Sequence, residues 1–192
     1  MPRPPTLTRG IVTLRPLRRR DEGRWIELRR QNRAWLKPWE ANSPPGRVEP
    51  PVAFAAYVRS EHRRWKDRTA FSMAIVVDGL LVGRVSIHAI EWGAQCSGSI
   101  GYWISSDYAG RRIVPNAVAL LSDYGFSQGL HRLEIALRPE NERSLSVARG
   151  VGFREEGLRS KYLYIDGDWR DHVIFALNED EPRNGPYWSA SS

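Results

Sequence analysis

Residues Ile100-Gly101-Tyr102-Trp103-Ile104-Ser105-Ser106-Asp107-Tyr108-Ala109-Gly110-Arg111-Arg112-Ile113-Val114-Pro115-Asn116-Ala117 read in turn as strand, loop and helix. The strand covers Ser99 to Ile104. The helix covers Pro115 to Gln128, with Val118, Leu121 and Phe126 on or near one face. A helix N-terminus carries unpaired N–H groups and a partial positive charge, so a junction of this kind can hold a pyrophosphate. Arg111 and Arg112 add charge beside it. Many strand-to-helix turns carry a glycine and a cation, so the junction alone leaves a purely structural role open.

Downstream, Arg132 to Leu137 reads as a strand and a further helix lies between Asn141 and Gly150. Tyr162 to Ile165, the turn Asp166-Gly167-Asp168, and Trp169 to Leu177 make a closing hairpin. Upstream, Phe71 to Val77 and Leu80 to Ile90 flank Asp78-Gly79, which supplies the positive φ of a tight hairpin turn. Before that hairpin, Phe54, Tyr57, Val58, Glu61 and Trp65 recur at helical spacing after Pro50 and Pro51, which suit a helix start.

A loop spans Asn42 to Pro51. An earlier helix is expected to begin at Asp21 as its N-cap and to run to about Gln31, with Trp25, Leu28 and Ile26 on one face. Gly10 to Arg15 alternates as the first strand, and Pro16 ends it by removing a ladder donor. The order predicts a mixed α/β (α+β) sandwich in a single domain over residues 1–192, with 1–8 and 182–192 as loose tails.

The length of 192 residues fits one core, and 41% hydrophobic and 27% charged residues are ordinary for a globular chain. No apolar run approaches the roughly 18 residues needed to span a bilayer, and the N-terminus lacks a signal-peptide apolar region, so the expected location is cytoplasmic. Cys96 is the only cysteine, which excludes an internal disulfide and a cysteine-based metal cage. No metal ligand set is visible. A net charge of +7 favours an anionic partner such as RNA, a ribosomal surface, an acidic protein or a polyphosphate cofactor.

The strand, glycine-containing turn and helix are followed about 25 to 30 residues later by Asn141-Glu142-Arg143-Ser144 and then by Gly152-Phe153. That order resembles the GNAT superfamily of N-acetyltransferases. Two further stretches resemble its RimJ/RimL group: Arg30-Gln31-Asn32-Arg33-Ala34-Trp35-Leu36-Lys37-Pro38-Trp39-Glu40 and Tyr164-Ile165-Asp166-Gly167-Asp168-Trp169-Arg170-Asp171-His172. The likeness covers about residues 9 to 180. It implies a mostly antiparallel central sheet flanked by helices, acetyl-CoA as co-substrate, and the amino group of a protein N-terminus, such as that of a ribosomal protein, as acceptor.

The same resemblance implies roles for single residues. The backbone around Ile104 would receive the thioester carbonyl where the central strands splay. Gly110, Arg111, Arg112, Ile113 and Val114 would face the pyrophosphate, and Asn141 would hydrogen-bond the pantetheine arm. The family's phosphate loop reads Gln/Arg-x-x-Gly-x-Gly/Ala, and Ala109, Arg112 and Val114 all depart from it. Arg112 puts a long side chain where close backbone approach is needed, an argument for weaker cofactor binding.

Many GNAT enzymes carry a tyrosine acid seven residues after the asparagine, a position held here by Ala148. Ser144 is then the implied leaving-group donor, although Asn141 and Ser144 also fit a helix cap and its N3 position. Glu134 is the nearest carboxylate for a general base, or an ordinary outward-facing residue. Asn32, Leu36, Trp39 and Glu40 fall where the family binds its acceptor. His88 and His131 look isolated and read as surface or core histidines. Acetylation of a small amine, and a non-catalytic ribosome- or RNA-associated role, are the alternatives.

Overall fold

The computed structural model describes residues 4–47, 52–183 and 186–188. Its framework is one sheet in the order β1-β2-β3-β4-β5-β6-β8-β7. The strands are β1 (Leu7–Arg9), β2 (Val12–Arg15), β3 (Phe71–Val77), β4 (Leu80–Glu91), β5 (Ser97–Ile104), β6 (Arg132–Leu137), β7 (Arg154–Ile165) and β8 (Asp168–Asn178). Every neighbouring pair is antiparallel except β5 and β6. The helices are α1 (Glu22–Gln31), α2 (Arg33–Leu36), α3 (Phe54–Lys66), α4 (Ile113–Ser127) and α5 (Glu142–Val151).

Alternation along the strands divides the apolar side chains between the two faces of the sheet. Under α4 and α5, Met73, Ile75, Val85, Ile87, Leu133, Ile135 and Phe175 form the larger core. Under α1 and α3, a smaller cluster joins Leu17, Leu28, Phe54, Val58, Ala74, Val76 and Leu81. Both hairpin turns have the backbone that their sequence implies. Asp78 and Gly79 lie at φ 49° and 78°, and Asp166 and Gly167 at 47° and 86°, the double positive φ of a type I′ turn.

Several boundaries differ from the sequence expectation. Gly10 and Ile11 form a turn rather than the start of a strand, and Leu7–Arg9 pairs with β2, so the first eight residues are not wholly loose. At the other end Trp188 is buried and donates its indole N–H to Val151 O at 2.9 Å, which anchors that part of the expected tail. Pro50 and Pro51 lie outside the described residues, and α3 begins at Phe54. Helix α4 starts two residues earlier than expected, with Pro115 in its first turn. Ile26 is 55% exposed rather than part of the apolar face of α1.

Asp21 takes the N-cap position of α1, as expected, but makes no side-chain cap hydrogen bond there. It closes a short 3-10 turn, Arg19–Asp21, and its carboxylate accepts the Arg18 amide at 2.8 Å. The same carboxylate accepts two hydrogen bonds from the Arg15 guanidinium at 2.7 and 2.8 Å, tying the end of β2 to the start of α1. Burial alone would raise the Asp21 pKa. The hydrogen bonds from Arg15 and Arg18, and the charges of both arginines, outweigh it and hold the carboxyl below its ordinary 3.8.

A depressed folded-state value means that this contribution to stability is complete above 3.8 and is lost as pH falls through the folded value. Asp21→Asn is therefore expected to cost about 1–3 kcal/mol at neutral pH, because Arg15 is left half-buried without its charge partner. Denaturant titrations of the two proteins should converge as the pH is lowered below 3.8.

Candidate active site

The parallel ladder between β5 and β6 is short: it runs only from Ser97↔Arg132 to Ser99↔Glu134. Beyond it the two strands part. On the other side of β5, pairing to β4 continues through Ile104↔Gly83, and the Ser105 amide donates to Val82 O at 2.9 Å. Because successive residues of a strand turn their amides to opposite sides, Trp103 and Ser105 face β4 while Tyr102 and Ile104 face the gap. Just before β5, the Cys96 carbonyl faces β6 and accepts the amides of His131 and Arg132. The opening thus presents the N–H groups of Tyr102 and Ile104. The Ile104 carbonyl is taken by the Trp35 indole N–H at 3.1 Å.

On the α4/α5 face the opening meets two helix starts. Arg112 precedes α4 in the left-handed conformation, φ 56° and ψ 15°, and Gly110 has φ 76°. At Arg112, where the family motif has glycine, the backbone keeps a glycine-type geometry under a long side chain. Arg111 and Arg112 are exposed, with Arg111 over the Tyr108 ring at 5.2 Å. Ile113 and Val114 bury their side chains, so only their backbones can serve a ligand. Asn141 caps α5 by accepting the Ser144 amide at 3.2 Å. Ser144 also accepts the Tyr102 hydroxyl on its carbonyl at 3.4 Å, leaving its own hydroxyl uncommitted among the described residues. Burial pushes the Tyr102 phenol upward, so it stays a neutral donor.

The opposite face carries an open groove of about 620 Å³. Its floor is Trp103, packed edge-on against Trp25 at 5.2 Å between ring centroids, with Tyr57 and Phe54 beside them. Arg84 closes one side, fixed by Glu61 at 2.9 Å and Ser72 at 2.8 Å. Arg29 and Glu40 close another as an ion pair. A wall beyond them comes from α2 and the 3-10 turn Lys37–Trp39, clamped to the β7–β8 hairpin by Lys37–Asp166 at 3.0 Å and by the Asn42 amide on Tyr164 O.

The four residues expected at the acceptor therefore have different surroundings. Asn32 is buried and bonds to Leu28 O, Ser105 Oγ and the Ser106 amide, pinning the end of α1 to the loop after β5. Leu36 is buried beneath α2. Trp39 is part-exposed under the Arg138 guanidinium, and Glu40 is already neutralised by Arg29. Glu134 faces the groove side of the sheet, and both its oxygens are held, one by Arg132 at 2.7 Å and the other by Arg159 at 3.2 Å. Trp35 reads from sequence as either a packing residue or a peptide contact, whereas Trp103 and Tyr102 are assigned no role. Their only local signal is an aromatic-rich composition, since the partners come from distant elements.

Three comparisons bear on this geometry. Residues 12–154 match the family model described as an acetyltransferase (GNAT) domain. Over 113 residues the chain is 37% identical to the probable N-acetyltransferase YjcK of Bacillus subtilis (strain 168), a match that spans 58% of this chain and 62% of that protein, under two thirds of its length. It is 29% identical to the [ribosomal protein uS5]-alanine N-acetyltransferase of Escherichia coli (strain K12), with 89% of both chains covered. Among solved structures, RimJ of Mycobacterium smegmatis in complex with CoA-disulfide superposes with a TM-score of 0.84 at 34% identity, covering 92% of this chain and 88% of that one. With strands that part beside a helix start, and with a model match over most of its length, the chain belongs to the GNAT family of N-acetyltransferases, in its RimJ/RimL branch.

Proposed function

We propose that this protein transfers the acetyl group of acetyl-CoA to the α-amino group of a protein N-terminus, with a ribosomal protein as acceptor. The observation that carries the proposal is the gap between β5 and β6. It is reached from the α4 start on one face and from an aromatic groove on the other, and it holds two amides with no strand to pair with.

The residues present suit a CoA thioester. A helix start with left-handed Arg112 and two exposed guanidiniums matches a pyrophosphate. Asn141 keeps its amide NH₂ free to donate to a pantetheine carbonyl, since only its oxygen is used in the cap. The N–H groups of Tyr102 and Ile104 are aimed where a thioester oxygen gains charge as the amine attacks. The Ser144 hydroxyl, uncommitted among the described residues, is the donor to the departing sulfur in this reading. The nucleophile is a neutral amine, of which an α-amino group with a pKa of about 7.7–8 supplies a substantial fraction at neutral pH. Trp25, Tyr57 and Trp103 offer flat apolar surface for the residues after that amine. The net charge of +7 suits an acceptor presented close to RNA.

Calorimetric titration is expected to give a dissociation constant for acetyl-CoA of about 1–100 μM, equivalent to roughly −8 to −5.5 kcal/mol. Arg112→Gly should raise the thermal midpoint, because a left-handed non-glycine residue costs about 1 kcal/mol or more, and should keep the affinity within about tenfold. Absence of binding by the natural chain, restored by glycine, would show that the Arg112 side chain blocks the site.

Incubation with acetyl-CoA and a short peptide beginning with alanine is expected to add one acetyl group at the α-amine, seen by fragment mass spectrometry. Trp103→Leu should raise the peptide KM about tenfold and leave acetyl-CoA affinity unchanged, the pattern of a lost acceptor contact. Acetylation of free polyamines in preference to every peptide tried would redirect the acceptor assignment to small amines.

A further inference from the structure

The acceptor face of the sheet carries a row of paired residues along β4 and β5: Arg84↔Trp103, Ser86↔Gly101 and His88↔Ser99. The row runs from the aromatic groove to the point where β5 and β6 separate, since Ser99↔Glu134 is the last parallel pair. At its centre Gly101 has no side chain, and the His88 ring leans into that space. A Cβ at Gly101 would lie 3.2 Å from His88 Cε1 and 3.6 Å from Nδ1. The imidazole therefore sits over the residue next to Tyr102, whose amide faces the gap. No hydrogen bond among the described residues ties either ring nitrogen.

Two side chains of this face that could accept a proton stand beside the start of the gap, and their states differ. Glu134, on β6, is held by Arg132 and Arg159. His88 is half-buried and uncommitted. We propose that His88 is the general base of the transfer: a ring nitrogen takes the proton that the acceptor amine loses as it attacks the thioester. This assignment rests on the transferase function proposed above. In the balanced step, the amine nitrogen forms the C–N bond and the C–S bond breaks with its electron pair on sulfur. The nitrogen's proton passes to His88 and then to solvent, and the thiolate takes a proton to leave as the CoA thiol.

Charges facing the ring favour the neutral form that a base requires. Burial comes first and the guanidiniums of Arg84 on β4 and Arg64 on α3 come next; together they hold the imidazole below its ordinary 6.5, against the weaker opposite pull of Glu61 on α3. The facing residues of β5, Ser99 and Gly101, are uncharged, and Glu134 beyond them is balanced by its two arginines. A value held below 6.5 leaves His88 unprotonated at neutral pH, the form in which a ring nitrogen can accept a proton.

The test is the pH dependence of kcat/KM for the natural chain, His88→Gln and Gly101→Ala, with acetyl-CoA and the alanine peptide, alongside calorimetric acetyl-CoA binding for each. His88→Gln is expected to lose about 10²–10⁴-fold in kcat/KM while binding acetyl-CoA normally. Both His88 and the peptide amine must be unprotonated, so at acid pH the natural chain should show a limiting log–log slope of about two, falling to about one in His88→Gln. Gly101→Ala, which crowds the ring, should reduce kcat/KM and keep the steeper slope. An active natural chain with the same slope as His88→Gln overturns the assignment and leaves the transferase function standing. A natural chain that binds acetyl-CoA but releases no thiol with any N-terminal peptide overturns both.

Discussion

Two strands that start out parallel and then separate are the constraint around which this molecule is organised. Pairing of β5 with β6 stops at Ser99↔Glu134, although both strands continue. Unpaired backbone N–H groups inside a sheet cost about 1–3 kcal/mol each when no partner or water reaches them. A fold that keeps such a gap needs support around it. Here the support is distributed: β5 is held along its other edge by β4 through Ile104, Trp35 takes the Ile104 carbonyl, and Asn32 pins the following loop to α1.

The gap also explains why the two faces are built differently. On the α4/α5 face the larger core is apolar and continuous, and the two helix starts lie at its edge. On the other face α1 and α3 cover β2 to β4 but leave β5 open beyond Trp103. The buried Glu61–Arg84–Ser72 group fixes the edge of that open area. Buried ion pairs of this kind add little net stability but hold one geometry, which suits the wall of a substrate groove.

Much of this was legible in the sequence where local chemistry decides. The Asp78-Gly79 and Asp166-Gly167 turns, the Asn141 cap and the apolar stripes of α3 and α4 follow from residue type and spacing alone. Strand β7 was read at a third of its length because Arg154 to Lys161 is exposed and, Gly157 and Leu158 apart, polar, and ion pairs such as Arg132–Glu156 stand in for apolar alternation. Asp21 was read correctly as the N-cap position of α1, but its side-chain partner Arg15 belongs to the preceding strand and has no local signal. His88 read as isolated because its nearest neighbour across the ladder is a glycine thirteen positions away on the adjoining strand. Glu134 and Glu40 were plausible as free carboxylates until their arginines were placed. Sequence reading found the residues that make local structure and missed those defined by register.

Amide NMR of the isotope-labelled protein during titration with acetyl-CoA reports on the gap itself. If the thioester docks between β5 and β6, the Tyr102 and Ile104 amide resonances should shift downfield together with those of Gly110 to Val114, while amides paired to β4, such as Trp103, move little. Saturable binding that perturbs the 110–114 loop but leaves Tyr102 and Ile104 unchanged would place the thioester elsewhere and contradict the account.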